Sequence, residues 1–362
     1  MGREQMTHLA REDMTPLERM TAFRRGQAVD RFPIILDMGA SLAPAAGISL
    51  PDYYGSVKGM VEAELWLFKR FRQDSVSIST GLRGMAEAMG SHIAYPAKGI
   101  SYVVQPALSC ADDLQELKEI DPWRSGKLPR YLEALQILRE KIGDQVEVSG
   151  HLAGPFSVAL ALVGNQKFLA WMHDQPEAAH QVLQIITQNN ENYIKALGKL
   201  GFRAGLCDPA ASLSFISYTQ FQEFAYPYLQ ANIASCQKYL GCQPGLHVCG
   251  KSKLLWKDLA TAGCGILHIG NREDLAEAKA LVGDRCGLMG NVAPVDILLK
   301  GTPAEITTAV KTCLQKAYDN PQGYILSAGC EIPLGTPLAN IEAFFQAGRR
   351  WGTFPMQAED WD

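Results

Sequence analysis

Short apolar runs alternate along this chain with longer stretches whose apolar residues recur every three or four positions. The short runs read as strands and the longer stretches as helices. Thr15-Pro16-Leu17-Glu18 opens the first helix with a capping hydroxyl, proline at the first helical position and glutamate at the third. That helix is predicted over 17–25, and Gly26 stops it. Eight apolar runs follow as predicted strands, at 31–37, 74–80, 145–151, 204–208, 244–248, 265–269, 285–289 and 324–327. Helices are predicted between them at 61–71, 114–120, 128–142, 168–173, 176–200, 219–240, 254–262, 275–281, 303–318 and 337–350. In the first of these, Glu64, Lys69, Arg70 and Arg72 are assigned to the outer face. Residues 93–95 and 102–104, separated by a turn at Ala97-Lys98-Gly99, read as a β-hairpin.

Strict alternation of strand and helix implies a parallel sheet. Eight units fit a (β/α)8 TIM barrel with an N-terminal helical extension and a small β-hairpin insertion. A doubly wound sheet is the rival. It ordinarily carries a glycine-rich phosphate loop after an early strand, whereas the first strand here ends Asp37-Met38-Gly39-Ala40-Ser41. The barrel is the preferred reading. It spans 14–352 as a single domain, flanked by tails at 1–13 and 353–362.

The chain has 362 residues, 47% of them hydrophobic, which is ample for a core of this size. A net charge of −4, with no basic block, argues against a nucleic-acid footprint. The longest apolar run, 156–163, is far short of the ~20 residues needed to span a bilayer. Residues 1–13 lack the apolar core of an export signal, so a cytoplasmic protein is expected. The nine cysteines are irregularly spaced and read as reduced thiols. Cys207, Cys264, Cys286 and Cys313 lie among apolar residues and are assigned to the core.

Gly245-Leu246-His247-Val248-Cys249-Gly250 carries the strongest chemical signal. In an extended segment His247 and Cys249 project the same way. An imidazole and a thiol on one face make half of a zinc site. Cys330, in Ser327-Ala328-Gly329-Cys330-Glu331, is the best third ligand. Three protein ligands leave one coordination position open, as catalytic zinc requires. In a barrel the chemistry sits at the C-terminal ends of the strands. Those ends also carry Asp37, Thr80, His151, Asp208, His268, Asn271, Asn291 and Glu331. Asp208 and His151 are the catalytic candidates. Asp37, Asn291 and His268 are candidates for cofactor binding. His247, Cys249 and Cys330 are the metal ligands, with Glu273 or Glu331 available for a resting fourth position.

These residues resemble the uroporphyrinogen decarboxylase superfamily, and within it the methylcobalamin:coenzyme M methyltransferase branch. The resemblance runs from Met14-Thr15-Pro16-Leu17-Glu18-Arg19 to the last helix. It rests on Asp30-Arg31-Phe32-Pro33, Met85-Ala86-Glu87-Ala88-Met89-Gly90, Gly154-Pro155-Phe156 and Asp208-Pro209-Ala210-Ala211-Ser212. It rests also on Pro227-Tyr228-Leu229, His247-Val248-Cys249-Gly250, Gly290-Asn291-Val292-Ala293-Pro294 and Ser327-Ala328-Gly329-Cys330. The family's fold is a (β/α)8 barrel. Its decarboxylases are similar to one another in an arginine-rich segment after the first strand, where this chain has Met38-Gly39-Ala40-Ser41-Leu42. Without arginine a highly carboxylated tetrapyrrole lacks its counter-charges. The methyltransferase branch implies His247, Cys249 and Cys330 as zinc ligands. It also implies methyl transfer from a methylated corrinoid to a zinc-activated thiol such as coenzyme M. Asp208 then orients His247 or the acceptor. The corrinoid fingerprint Asp-x-His-x-x-Gly is absent, so a separate corrinoid protein is the expected partner. Two alternatives stay open: the first methyltransferase of an O-demethylase system, taking methyl from a methoxylated small molecule, and a tetrapyrrole-binding protein. A homo-oligomer also stays open.

Overall fold

The structure, a computed structural model, describes residues 12–354. Seven parallel strands run in one sheet: β1 (Ser75–Ser79), β4 (Glu147–Ala153), β5 (Arg203–Cys207), β6 (Gly245–His247), β7 (Ile266–His268), β8 (Gly287–Val292) and β9 (Tyr324–Ala328). β2 (His92–Ala94) and β3 (Tyr102–Gln105) form the expected antiparallel hairpin after β1. Each strand of the large sheet pairs with the next, so the sheet curls in sequence order.

The segment predicted as the first strand, 31–37, occupies the eighth place without forming a regular ladder. On one side it pairs with β9: Leu326 N donates to Pro33 O at 2.9 Å and Ile35 N to Leu326 O at 3.1 Å. On the other it meets the residues just before β1. Asp74 N donates to Ile34 O at 3.0 Å, but Ile34 N donates to the Asp74 carboxylate at 2.7 Å. Leu36 N donates to the Gln73 side-chain carbonyl at 3.2 Å. Side chains replace half of the ladder there, and Arg19 and Arg31 neutralise the buried Asp74 at 2.6 Å each. The ring therefore closes as a (β/α)8 barrel.

One predicted element differs, and the structure adds helices where none was predicted. Residues 156–163 form a helix, Pro155–Val163, every residue of which is buried; an all-apolar run carries no period to distinguish helix from strand. Residues 114–120 are not an α-helix: a 3-10 turn covers Ala111–Glu116. Short helices at Gly39–Leu42, Leu50–Gly55 and Gly84–Ala88 fill the loops after the first strand segment and after β1. The expected tails lie largely outside the described residues. Their described parts are tied down: Glu12 pairs with Arg31 and Arg349, and Phe354 packs on Phe32. Among the described residues no helix is long and apolar enough to cross a membrane.

Candidate metal centre

His247 ends β6, and the chain turns just beyond it. Gly250 takes a φ of 69°, and a side chain there would meet the Ser214 hydroxyl at 2.4 Å. Glycine thus lets the loop fold close over Ser214 while Cys249 stays beside His247. Cys330 arrives from the loop after β9. Gly329 before it leaves room for Asn271, whose amide nitrogen would lie 2.3 Å from an added Cβ.

The three ligand atoms of His247, Cys249 and Cys330 lie within 4.8 Å of one another. The two sulfurs are 4.0 Å apart and both cysteines are free. A disulfide needs about 2.05 Å, whereas two thiolates at about 2.3 Å from a tetrahedral zinc stand about 3.8 Å apart. The sulfur spacing thus suits a shared ion rather than a bond. His247 supplies the third donor in the right form. Its Nδ1 donates to the carbonyl of His268 at 3.3 Å, so Nε2 keeps a lone pair. Nε2 is buried and has no hydrogen-bond partner. An orphaned buried nitrogen beside two thiols is a set of donors that a cation would satisfy. No fourth His, Cys, Asp or Glu joins this group among the described residues. The donor set therefore fits zinc with one position open.

The charges agree with that reading. A hydrogen bond from Cys330 brings the Cys249 thiol down, while Cys330 as the donor is pushed up. Burial brings His268 down to about 3, with His247 next to it, and its Nε2 donates to Ala328 O at 2.7 Å. His268 is neutral, and its ring centroid lies 4.5 Å from that of His247.

A cavity of about 320 Å³ opens beneath these ligands inside the barrel. Asp37, His151, His268 and Glu331 line it with His247 and Cys330. Asp37 has open surface, but that surface faces the cavity. Burial pushes its carboxyl up, against the pull of His151 and His247. Burial pushes the His151 imidazole down, against the pull of Asp37. Glu331 is pushed to about 7 by burial and then by Asp37, and accepts from the Ser41 hydroxyl at 3.1 Å. Cys207, assigned to the core from its neighbours, also lines this cavity, because inward positions of β5 face the lumen.

Three candidates sit elsewhere. Asp208 is fully buried, and its carboxylate accepts from the backbone of Phe156 at 3.1 Å and from the backbone and hydroxyl of Ser157 at 2.8 and 2.6 Å. It anchors the start of helix Pro155–Val163 and reaches His247 only through its backbone N–H, which donates to His247 O at 2.9 Å. Burial pushes it to about 6 against these hydrogen bonds. Asn291 donates to Gly270 O at 3.0 Å and Glu273 O at 2.7 Å, which ties the end of β8 to the loop after β7 and uses both amide hydrogens. Glu273 accepts from the backbones of Ser252 at 2.8 Å and Lys253 at 3.2 Å, away from the ligands.

Glu64, assigned to the outer face of its helix, is instead buried at 3% exposure. Tyr53 donates to it at 3.1 Å, and burial, with Asp37 also contributing, raises it to about 8. The signal was present: Glu64 stands four residues after Met60 and three before Leu67, on the buried stripe.

Residues 15–351 match the family described as "Uroporphyrinogen decarboxylase (URO-D)". The chain belongs to the uroporphyrinogen decarboxylase family. Its relatives include "Methylcobamide:CoM methyltransferase MtaA" of Methanosarcina barkeri, 28% identical over 92% of this chain and 98% of that one. "Methylcobamide:CoM methyltransferase MtbA" of Methanosarcina acetivorans is 27% identical over 94% of this chain and 99% of that one. A solved "methyltransferase from Methanosarcina mazei" superposes with a TM-score of 0.85 at 27% identity, covering 94% of this chain and 99% of that chain.

Proposed function

We propose that this member of the family transfers a methyl group from a methylated corrinoid to a small thiol at a zinc centre formed by His247, Cys249 and Cys330. The observation that carries this is the convergence of two sulfurs and an orphaned imidazole nitrogen at the rim of a hollow barrel. A zinc ion held there supplies the Lewis acidity that turns a thiol, with an ordinary pKa near ~8.5, into a thiolate at neutral pH.

The chain's own residues do the rest. The His268 carbonyl fixes the His247 tautomer and ring. Cys249 and Cys330 bring negative charge, which keeps an incoming sulfur electron-rich. Asp37 and His151, in the cavity below, are the groups that accept the thiol's proton. Asp208 holds the helix that backs the loop after β5. The thiolate sulfur then attacks the methyl carbon in line. A sulfur–carbon bond forms, the carbon–cobalt bond breaks with both electrons, and cobalt leaves as Co(I).

The names of the relatives support the corrinoid donor and point to coenzyme M as the acceptor. Lack of arginine in Gly39–Leu42 disfavours a polycarboxylated tetrapyrrole. A separate corrinoid protein suits the barrel mouth, where Leu82, Val104, Phe215, Leu254 and Val295 stand exposed on the loops after β1, β5, β6 and β8.

The test is to load the purified protein with zinc and mix it with methylcobalamin and a panel of thiols. Loss of the methyl–cobalt absorbance with formation of a thioether, coenzyme M giving the highest rate, is expected. If no thiol is methylated, the proposal fails. If instead a methoxylated arene methylates Co(I), the transfer runs in the opposite direction.

A further inference from the structure

(β/α)8 barrels ordinarily fill their interior with layers of bulky branched side chains. Here, on the side of β1, β4, β5 and β6, the layers below the metal centre hold serine, glycine and charged residues, while Ile266, Met289 and Ile325 line the other side. Register places Ser79 beside His151, His151 beside Gly205 and Gly205 beside Gly245. The next layer down pairs Ser77 with Ser149, and Ser149 with Arg203. The lowest pairs Ser75 with Glu147. All of these residues line the cavity of about 320 Å³ that also reaches His247 and Cys330. From Ser79 to Ser75 the wall is about 13 Å long at ~3.3 Å per residue. The cavity thus runs down the barrel axis rather than stopping at the active-site floor.

The chemistry of its wall is specific. The hydroxyls of Ser75, Ser77 and Ser149 face the lumen and bond to no protein group among the described residues, whereas Ser79 accepts from Gly81 N at 2.9 Å. Hydroxyls left unpaired in a closed interior cost free energy unless water reaches them. The space has room for many waters, since one needs only ~10–15 Å³ by this measure. At the far end Arg24 and Glu147 line the lumen as a two-pronged ion pair, Nη2 to Oε1 at 2.6 Å. Both residues are part-exposed, so a polar, ionisable group joins the lumen to the N-terminal face.

We infer that the barrel lumen is a hydrated passage through which the proton of the acceptor thiol leaves toward the N-terminal face. This deepens the methyl-transfer reading and rests on it. The acceptor's S–H bond breaks as its sulfur binds the metal. The proton, accepted by Asp37 or His151, passes on to water beside them, and along water held by Ser149, Ser77 and Ser75 to Glu147 and the bulk. The corrinoid meanwhile covers the opposite, C-terminal mouth. The donor thus blocks the short way out, and the lumen supplies another that stays open.

Two experiments test this. A high-resolution crystal structure should show a continuous file of ordered waters from His151 to Glu147; a dry or side-chain-filled lumen overturns the inference, whatever the reaction. The second experiment plugs the passage. Gly245 faces the lumen on the same side of β6 as His247, and an added Cβ there has no neighbour nearer than 4.0 Å. Gly245→Leu in the zinc-loaded protein, with the donor corrinoid bound, should slow proton release to a pH indicator on thiol addition by roughly 10-fold or more. Equilibrium thiol affinity should be kept. Ser77→Ala with Ser149→Ala removes the hydroxyls without adding bulk, and should slow release in the same direction if the leucine variant fails to fold. Release as fast as in the unaltered protein overturns the passage alone. No proton release from the unaltered protein sinks the methyl-transfer reading and the passage with it.

Discussion

The sulfur of Cys249 lies 4.0 Å from the sulfur of Cys330, across 81 residues of sequence. That distance is too long for a disulfide and suited to two ligands on one ion. It places the end of β6 and the loop after β9 in one centre, with β7 and β8 between them in the sheet.

Cys330→Ala should therefore cost metal and leave the fold. Zinc measured by mass spectrometry should drop from one per chain to well below one after dialysis, with a weakening of roughly 10²-fold or more in affinity. Far-ultraviolet circular dichroism should be unchanged. A variant that unfolds, or one that keeps its zinc, contradicts the centre described.

Asp74 takes the place of a backbone ladder where the barrel closes. Its carboxylate accepts from Ile34 N at 2.7 Å and from Arg31 and Arg19 at 2.6 Å each. Asp74→Ala takes the shared carboxylate from Ile34 N and two buried guanidiniums, leaving Arg19 with Asp30 and Arg31 with Glu12. Urea denaturation should show a loss of about 3–5 kcal/mol. A loss under ~1 kcal/mol would mean the segment at 33–36 closes the ring without it.

Glu64 gives a pH dependence with a definite sign. Its carboxyl is raised from 4.5 to about 8 by burial. A raised carboxyl contributes stability in full below the unfolded pKa and loses it as pH climbs through the folded one. The chain should thus lose stability between about pH 4.5 and pH 8 from this group. Glu64→Gln keeps the shape and an acceptor for Tyr53 but carries no charge. Thermal melts from pH 5 to 8.5 should show that loss, of the order of 3 kcal/mol at the upper end, flattened in the variant. Parallel curves for both proteins would disprove it.

Gly154 precedes the helix that Asp208 anchors. An added Cβ would stand 2.3 Å from Asp208 Oδ2. Gly154→Ala should displace that carboxylate and lower stability by about 1–3 kcal/mol, with some loss of zinc affinity because Asp208 N also holds the His247 carbonyl. Asp208→Asn, which keeps the volume, should lose less. Equal stability of Gly154→Ala and the parent in chemical denaturation would show that the loop yields freely.

The sequence alone determined the alternation of strands and helices, and with it the parallel barrel. Strand periodicity put His247 and Cys249 on one side, and the strand ends pointed to Cys330, because residue spacing is enough to say which way neighbouring side chains project. What a given carboxylate does was beyond it. Asp208 and Glu273 looked like site residues yet bind backbone amides, and Glu64 looked exposed yet is buried beside Tyr53. The first strand segment read as an ordinary strand, but its ladder is half made by Asp74 and Gln73. Only the tertiary structure decided these, because a polar side chain's role depends on which unpaired group lies within about 3 Å of it. The hollow lumen was decided there too: serines and glycines on four strands mean nothing singly, and become a passage only when the ring closes around them.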